Sequence, residues 1–288
     1  MTKRLFCFGF GFTARQIAAD YPAWRVMGTS RSPAFDPAPH APSLFAFRRG
    51  QRIESFAEIA RNVSHILLSI PPDDAGDPVF DVMAEDILRL PKLEWVGYLS
   101  TTGVYGDLDG GWVDEDTPYN PSGDRGRRRM RAEQDWRGLY ERKGLPVHIF
   151  RLPGIYGPGR NQLVSLQSGK ARRVVKDGQV FSRIHVADLA AILMASMERP
   201  NPGAIFNVAD DEPAPPQDVV TYAAELLGMD PPPLIDFDSA DLSPMARSFY
   251  ADSKRVSNAK IKSELGISLK YPTYREGLAA LLPARIGI

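Results

Sequence analysis

The first 155 residues alternate short apolar runs with segments long enough to form a helix. Each run is apolar at nearly every position, which is typical of a strand covered on both faces of a parallel sheet. The predicted strands are residues 5–8, 24–28, 44–47, 65–70, 95–100 and 147–151, with one more at 204–208. The predicted helices are residues 13–20, 53–60, 80–90 and 127–143, with one more at 186–198. This pattern predicts an α/β fold built on a doubly wound parallel sheet.

The turn after the first predicted strand carries glycines at a spacing that suits a phosphate ligand. Residues 9–14 read GFGFTA and match G-x-G-x-x-(G/A) between a strand and a helix. Gly9 permits a tight turn, Gly11 lets a ligand approach the backbone, and the small Ala14 lets the helix pack closely on the strand. The first N–H groups of the helix, on Phe12 and Thr13, are available to the ligand. We therefore predict a Rossmann-type fold that binds the pyrophosphate of a nicotinamide dinucleotide at this turn.

The end of the second predicted strand indicates which dinucleotide is bound. An acidic side chain in this place would hold the ribose 2′-hydroxyl of NAD. Here residues 29–32 read TSRS, and the first acid is Asp36. The hydroxyl of Ser30 and the guanidinium of Arg31 suit a 2′-phosphate, which arginine binds through a charge-assisted fork. NADP is therefore predicted in preference to NAD. The alternative is that Arg31 is a solvated loop residue.

Proline and glycine become dense after residue 155, and the predicted elements become shorter. We predict a dinucleotide-binding domain at residues 1–155, to which residues 181–210 return. Residues 156–180 and 211–288 are predicted to form a smaller C-terminal α/β substrate domain. Ligands bind at the carboxyl ends of parallel strands, so this second unit is expected to line the substrate pocket. Its candidates for contacting an anionic group are Arg160, Asn161, Arg172 and Arg173.

Composition and charge limit the classes of binding partner that are expected. The 288 residues contain 35 Lys and Arg against 35 Asp and Glu, so no general attraction to nucleic acid or to an anionic membrane is expected. No apolar stretch approaches the length of a membrane span. The single cysteine, Cys7, excludes an intramolecular disulfide and fits a reducing compartment. We expect a cytoplasmic protein with a small-molecule substrate, no nucleic-acid or membrane partner, and no metal site.

Four further segments match motifs of one enzyme family, in the family's order along the chain. They are STTGVYG at 100–106, RLPGIYGPGR at 151–160, RIHVADL at 183–189 and FNVA at 206–209. Together with the glycine turn, they make the chain resemble the extended short-chain dehydrogenase/reductases, and in particular the NAD-dependent epimerase/dehydratase family. That family acts mostly on nucleotide sugars. The resemblance spans nearly the whole chain and implies an oxidoreductase or epimerase.

The resemblance implies roles around the nicotinamide. The Thr101 hydroxyl would bond the reacting oxygen of the substrate, and Pro153 would border the nicotinamide face. His65, Ser69 and Pro71 would approach the cofactor from the end of the preceding strand.

The resemblance also implies structural roles and an assembly. His185 and Asp188 would orient loops and cap the helix that begins near Val186. The helices at 80–90 and 127–143 correspond to those through which the family commonly dimerises, so a homodimer is expected.

The family's catalytic Tyr-x-x-x-Lys is missing from its expected place. In the family, the tyrosine transfers the hydroxyl proton, and the lysine lowers the tyrosine pKa and holds the ribose. Alignment on Glu133 puts Arg125 at the tyrosine position and Arg129 at the lysine position. Arginine stays protonated at neutral pH, so Arg125 cannot act as a base, whereas Arg129 could still hold the ribose or a phosphate. A phenol could come instead from Tyr105 or Tyr119, and the sequence does not choose between them.

The same stretch is strongly basic, and two interpretations of it are open. Its cations are Arg125, Arg127, Arg128, Arg129 and Arg131. They could form a solvated helix face, stabilised by pairs such as Arg129–Glu133 and Arg131–Asp135. Alternatively, they could form an anion site facing the cleft, for a phosphorylated or carboxylated ligand.

Two functions therefore remain open. The first is an NADP-dependent oxidoreductase or epimerase acting on a nucleotide-sugar-like or other anionic small molecule, with Thr101 and a bound water replacing the tyrosine. The second is a non-catalytic NADP-binding protein with a redox-sensing or regulatory role. The retained Thr101 loop, the Pro153 region and the cleft-forming second half favour the enzyme.

Overall fold

A parallel sheet forms the centre of the molecule. This computed structural model describes residues 3–33 and 41–282. The strands within those residues are β1 (Arg4–Phe8), β2 (Arg25–Ser30), β3 (Ser43–Ala46), β4 (His65–Leu68), β5 (Trp95–Thr101), β6 (Trp112–Val113), β7 (Val147–Leu152), β8 (Gly154–Tyr156), β9 (Arg173–Val175), β10 (Arg183–His185), β11 (Ile205–Asn207), β12 (Leu234–Asp236) and β13 (Arg255–Val256).

Seven of these strands make the central sheet, in the order β3-β2-β1-β4-β5-β7-β11, and all neighbours are parallel. The chain runs outward from β1 to β3, then crosses back and continues outward from β4 on the other side. A crevice opens at the carboxyl ends of the strands where this order reverses, between β1 and β4. We call this crevice the cleft. The predicted Rossmann-type sheet is confirmed.

Ten helices and one 3-10 turn lie within the described residues. The helices are α1 (Phe12–Asp20), α2 (Phe56–Ile59), α3 (Pro78–Leu88), α4 (Asp124–Lys143), α5 (Gln162–Gln167), α6 (Val186–Glu198), α7 (Pro216–Leu227), α8 (Pro244–Phe249), α9 (Ala259–Leu265) and α10 (Tyr274–Ala279), with a 3-10 turn at Thr102–Tyr105. The Asp77 carboxylate accepts the N–H groups of Val79 and Phe80 at 2.8 and 3.0 Å and so caps α3. Gly144, with φ of +71°, ends α4 in the left-handed conformation.

Helices cover both faces of the sheet because successive side chains of a strand point to opposite sides. Phe6 and Phe8 of β1 join a core with Met83 of α3 and Trp136 of α4. Leu5 and Cys7 face the other way, into a core with residues of α1 and α6. Each of these strand residues is fully buried, which explains why the strands are apolar throughout.

The second half of the chain has a hydrophobic core of its own. It is built from α5, α7 and α10, with Leu163, Val219 and Leu278 among its buried members. The segment from 255 to 265 behaves differently, because Ile261 and Leu265 pack into the sheet core beside α6. The predicted domain boundaries stay a prediction, and residues 283–288 of the predicted substrate domain lie outside the described residues.

Each element predicted in the first 155 residues is present, with ends that differ by a few residues. The short elements β6, β8, β9, β10, β12 and β13 and the helices α5, α7, α8, α9 and α10 were not predicted. Within the described part of the chain, no helix combines the length and the apolar character needed to cross a membrane.

Candidate functional site

The turn between β1 and α1 is held by both neighbouring strands. Gly9 has φ of +92°, and its N–H donates to the Thr29 hydroxyl at 2.9 Å. The Ser69 hydroxyl, just beyond β4, bonds the carbonyl oxygens of Phe8 and Gly9 at 2.9 and 2.8 Å. A Cβ on Gly9 would lie only 2.7 Å from that hydroxyl oxygen. Glycine is therefore required here both for the backbone angle and for space.

Gly11 differs from Gly9 in that neither space nor backbone angle requires a glycine. A Cβ there would have no atom of the described residues within 4 Å, and its φ of −95° is open to any residue. The fold's own packing does not require glycine at this position. Helix α1 begins at Phe12 without a side-chain cap and without an acid in its first turn. Its first N–H groups, including that of Thr13, and its partial positive charge are therefore left for an anion, and the buried Ala14 packs beneath them.

Two arginines stand next to each other at the ends of β2 and β3. Arg31 follows β2 and is exposed. Arg48, two residues beyond β3, donates from Nε to the backbone carbonyl of Arg31 at 3.3 Å. The carbonyl of Ser30 accepts the N–H of Phe47 at 3.1 Å, which joins the two segments. Arg48 was not among the predicted site residues, although it directly follows the third predicted strand. Asp36 lies outside the described residues.

The segment after β4 is a loop tied down by two arginines. Its start, Pro71, is exposed. Arg49 donates to the carboxylates of Asp73 and Asp81 at 2.6 and 2.8 Å and to the carbonyl of Gly76 at 2.7 Å. Arg128 of α4 pairs with Asp74 of the same loop. These contacts fix the loop that leaves β4 beside the cleft.

The expectation that His65 approaches the cofactor is wrong. His65 begins β4, opposite Leu5 in the sheet register, so it lies at the amino end of the strand. Its ring is fully buried, with ring centroids 4.8 Å from Trp24 and 6.2 Å from Trp95. Ser69, at the other end of the strand, is the residue that reaches the glycine turn.

Thr101 and Pro153 lie on neighbouring strands at the cleft edge of the sheet. Thr101 ends β5 and pairs in register with Leu152 of β7, so Pro153 is one residue further out. The Thr101 hydroxyl oxygen accepts the N–H of Gly103 at 3.2 Å, which leaves the hydroxyl hydrogen to be donated elsewhere. Both side chains are half-buried. We call Thr101, the 3-10 turn and residues 124–129 of α4 the β5 corner.

A buried ion pair supports the β5 corner from below. Arg151 of β7 and Glu133 of α4 are almost completely buried and lie 2.9 Å apart. Glu133 also accepts hydrogen bonds from the hydroxyls of Ser100 and Tyr119. Burial alone would lower the pKa of Arg151, but the charge of Glu133 raises it above its usual value. This pair was not predicted from the sequence, in which Glu133 served only as the anchor of the family alignment.

Glu133, Arg151 and the side chains bonded to them form a buried network, and the phenol of Tyr105 belongs to it. The suggestion that Tyr105 supplies a phenol to the substrate therefore needs correction. Its hydroxyl donates to Asn207 at 2.7 Å and accepts from Arg151 at 2.9 Å. The side chain is fully buried, and burial raises the pKa of Tyr105 to about 12. The other candidate, Tyr119, donates to Glu133 at 2.8 Å. Both phenols are thus bonded to other side chains of the network.

The outward-facing arginines of α4 behave as surface residues. Arg127 pairs with Asp124 at 2.6 Å, and Arg128 pairs with Asp74 as described above. Arg131 is exposed. The predicted pair between Arg131 and Asp135 is not formed among the described residues.

Arg125, which is exposed, and Arg129, which is half-buried, lie at the β5 corner. The predicted Arg129–Glu133 pair is wrong, because Glu133 turns into the core. Arg129 instead donates to the carbonyl of Leu99 at 2.5 Å and to the Tyr98 hydroxyl at 3.1 Å. Arg125, one helical turn earlier, lies with its guanidinium 5.2 Å from the ring centroid of Phe249 in α8.

Of the four candidates in the second half, one reaches the cleft. The guanidinium of Arg160 lies 5.8 Å from the ring centroid of Phe12, at the start of α1. Asn161 caps α5 by accepting the N–H of Val164 at 3.0 Å. The guanidinium groups of Arg172 and Arg173 donate to backbone carbonyls.

His185 and Asp188 hold structure, as predicted. His185 Nδ1 accepts the N–H of Ala187 at 3.2 Å and caps α6. The Asp188 carboxylate accepts the backbone N–H groups of Lys270 and Tyr271 at 2.7 and 3.0 Å. Both side chains are buried.

Comparison with known sequences assigns the middle of the chain to one family. Residues 82–209 match the description of the NAD dependent epimerase/dehydratase family. The Escherichia coli (strain K12) protein YeeZ is 32% identical over 190 residues, which is 64% of this chain and 60% of that protein. The alignment therefore spans less than two thirds of this curated relative.

Comparison with solved structures extends over nearly the whole chain. A conserved protein of unknown function from Silicibacter pomeroyi is 50% identical, with a TM-score of 0.85 over 97% of this chain and 98% of that one. A dTDP-glucose 4,6-dehydratase from Bacillus anthracis in complex with NAD is 19% identical, with a TM-score of 0.77 over 98% and 95% of the two chains. The second likeness shows a shared fold with a protein that binds NAD.

Proposed function

This chain belongs to the NAD dependent epimerase/dehydratase family, and from that premise we propose that it binds NADP(H) and acts as an oxidoreductase or epimerase on an anionic small molecule. The observation that carries the proposal is the turn at Gly9 and Gly11. Packing requires glycine at the first position and leaves open space at the second, and α1 begins there without a side-chain cap. A dinucleotide pyrophosphate needs all three features.

The residues at this edge of the sheet fit the rest of the cofactor. The N–H groups of Phe12 and Thr13 would bind the pyrophosphate. Ser69, Pro71 and Pro153 would border the dinucleotide, and Arg129 would stand where the family's lysine holds the ribose. When bound, the nicotinamide supplies or accepts a hydride.

A preference for NADP is supported by the side-by-side arginines. Ser30 and Arg31 were predicted to bind the 2′-phosphate, and the position of Arg48 adds a second guanidinium to the same place. Two cations and a hydroxyl suit a dianionic phosphate better than a neutral ribose hydroxyl.

The proposed active site is atypical because of what stands at the β5 corner. Arg125 and Arg129 occupy the family's tyrosine and lysine positions, and an arginine does not accept a proton at neutral pH. In our proposal, Thr101 donates its free hydroxyl hydrogen to the reacting oxygen of the substrate. The proton itself is exchanged with water.

Nicotinamide fluorescence on the purified protein tests cofactor binding. We expect NADPH to bind more tightly than NADH. Loss of one charge-assisted fork in Arg31→Ala should weaken NADPH binding by roughly 10-fold or more and leave NADH binding unchanged. The matched control is Arg61→Ala, an exposed arginine just before the amino end of β4. If NADPH affinity is unchanged in Arg31→Ala while NADH still binds less tightly, the assignment fails.

A non-catalytic, redox-sensing or regulatory protein is the second candidate. It is favoured by one observation, that the phenols of Tyr105 and Tyr119 are both bonded inside the network. NADPH binding without oxidation across a panel of carbonyl compounds and nucleotide sugars would support it. Substrate-dependent oxidation that persists in Tyr105→Phe and disappears in Thr101→Ala would support the enzyme.

A homodimer through α3 and α4 also remains a proposal. The two helices contact each other on one face of the sheet, as the family's dimerisation helices do. Sedimentation that detects only monomer at micromolar concentration would exclude it.

A further inference from the structure

The arginines at the start of α4 differ in whether a carboxylate neutralises them. Arg127 and Arg128 on the outer side are paired with Asp124 and Asp74. Arg125 forms no ion pair with any described residue, and the same holds for Arg129 and Arg160. We call Arg125, Arg129 and Arg160 the arginine cluster. Arg125 and Arg160 are exposed and Arg129 is half-buried, so the two groups differ in their counter-charges and not in their burial.

The backbone brings the arginine cluster to the place where the reacting end of a substrate is expected. A Cβ on Gly126 would lie 2.5 Å from the carbonyl oxygen of Gly103, so α4 starts directly against the turn that follows Thr101. Arg125 and Arg129 are four residues apart and share a helix face. Arg129 shows the direction of that face, because its guanidinium reaches the carbonyl of Leu99 in β5.

The third cation comes from the other side of the cleft. Arg160 follows β8 and lies over Phe12 at the start of α1. Its charge acts on Arg125, whose pKa lies below the usual value because the guanidinium is partly desolvated and because Arg129 and Arg160 are both positive. No carboxylate contributes to this shift. Like charges gathered without a counter-charge are unfavourable, and a bound anion removes that cost.

Local stability does not account for Arg125. It lies in the first turn of α4, where the positive end of the helix dipole disfavours a cation. Its guanidinium stacks on Phe249 of α8, so it is oriented by an aromatic ring rather than by an acid. An arginine held this way keeps its planar fork of donors for an oxyanion.

We propose that the arginine cluster binds a carboxylate or phosphate group of the substrate, placed within a few bonds of the atom that reacts beside Thr101. This inference rests on the proposed function for the position of the reacting atom. The expected substrates are small oxyanions whose charge lies near the reacting carbon, rather than nucleotide sugars whose diphosphate is distant from it. Arg125 and Arg160 supply the fork, and Arg129, which already bonds the backbone, adds its charge.

The test uses benzoate and phenylphosphonate as probes, titrated by calorimetry into the full-length protein saturated with NADP+. We expect saturable binding of at least one probe. Loss of the fork in Arg125→Gln or Arg160→Gln should weaken it by roughly 10-fold or more. Arg125→Lys, which keeps the charge without the fork, should lie between. Arg127→Gln is the matched control, because it removes a paired arginine from the same helix turn, and it should leave probe affinity unchanged.

NADPH affinity is measured on the same variants. It shows whether the arginine cluster binds an anionic group of the substrate or the phosphates of the cofactor. An NADPH affinity that is unchanged in Arg125→Gln, together with lost probe binding, supports the proposal. If Arg125→Gln weakens NADPH and leaves the probes unaffected, the cluster serves the cofactor phosphates and the proposal is overturned. Normal NADPH binding with no probe binding also overturns it, while the proposed function stands. If NADPH does not bind at all, the proposed function fails, and the probe titration without dinucleotide still decides whether the cluster is an anion site.

Discussion

Two corners of the cleft, both at the carboxyl ends of parallel strands, are built on different physical principles. At the turn after β1, the requirement is steric, because Gly9 has a positive φ and no room for a Cβ. At the β5 corner, the feature is electrostatic, because Arg125 and Arg129 lie on one face of α4 without a carboxylate partner among the described residues, and the charge of Arg160 acts on Arg125. In the proposed function, the first corner lets the phosphates of the cofactor approach the backbone, and the second presents positive charge to the substrate.

Because the two corners are built differently, mutations are expected to change pyrophosphate recognition and the chemistry at the β5 corner independently. A backbone turn recognises the shape and charge of a pyrophosphate, and it does not depend on the reaction that follows. In the proposed function, the side chains at the β5 corner take part in the chemistry, and two of them are arginines on a scaffold that contains Thr101 and the Glu133–Arg151 pair. Under that proposal, cofactor binding and proton transfer depend on different parts of the fold.

The largest expected effect concerns the scaffold of the β5 corner. Glu133→Ala would leave Arg151 buried without its counter-charge, at a cost of about 3–5 kcal/mol in the free energy of unfolding. Arg127→Ala is the control on the same helix, because it removes an exposed pair with Asp124 at 2.6 Å worth at most about 1 kcal/mol. Urea unfolding followed by circular dichroism measures both. Equal effects of the two substitutions would mean that the buried pair does not support this corner.

The next prediction separates fold from ligand at the glycine turn. Gly9→Ala should lower the free energy of unfolding by about 2–4 kcal/mol, because the new Cβ combines a positive φ with a contact of 2.7 Å. Gly11→Ala should change it by no more than about 0.5 kcal/mol, since the space is open. NADPH binding should nevertheless weaken by roughly 10-fold or more in Gly11→Ala. An unchanged affinity would show that the dinucleotide does not approach the backbone at that position.

The two corners also differ in how well the sequence predicts them. The glycine turn depends on local rules, a strand followed by GFGFTA and a helix, and these identified Gly9, Gly11 and Ala14 directly. The central strands other than the partly exposed edge strand β3 were predicted because burial on both faces leaves a nearly unbroken apolar run. The short strands and helices of the second half lack that signal. The short strands pair with each other over only two or three residues and depend on contacts that are distant in the sequence.

Long-range contacts explain the errors at the β5 corner. Local helix rules pair Arg129 with Glu133, four residues on, but Glu133 faces Arg151 of β7, 18 residues away. Tyr105 was a candidate because its motif lies near Thr101, yet its phenol bonds Asn207, 102 residues away. One signal could have been used, since an arginine inside the apolar strand 147–151 needs a buried counter-charge. The sequence alone does not show which acid supplies it.

The smallest predicted effect tests whether the cleft-facing arginines are uncompensated. A lowered pKa in the folded state means that folding disfavours the charged form of Arg125. Arg125→Gln loses the stacking on Phe249 at any salt concentration, but removal of the charge should favour the variant by a few tenths of a kcal/mol at about 10 mM salt, after screening by water at its exposed edge. This electrostatic gain should vanish near 1 M salt, where the Debye length is about 3 Å. Arg127→Gln, which loses the pair with Asp124, should give no gain at either salt concentration. If the stability of Arg125→Gln relative to the unmutated protein is the same at both salt concentrations, the charge of Arg125 is compensated within the fold, and the electrostatic contrast between the two corners does not hold.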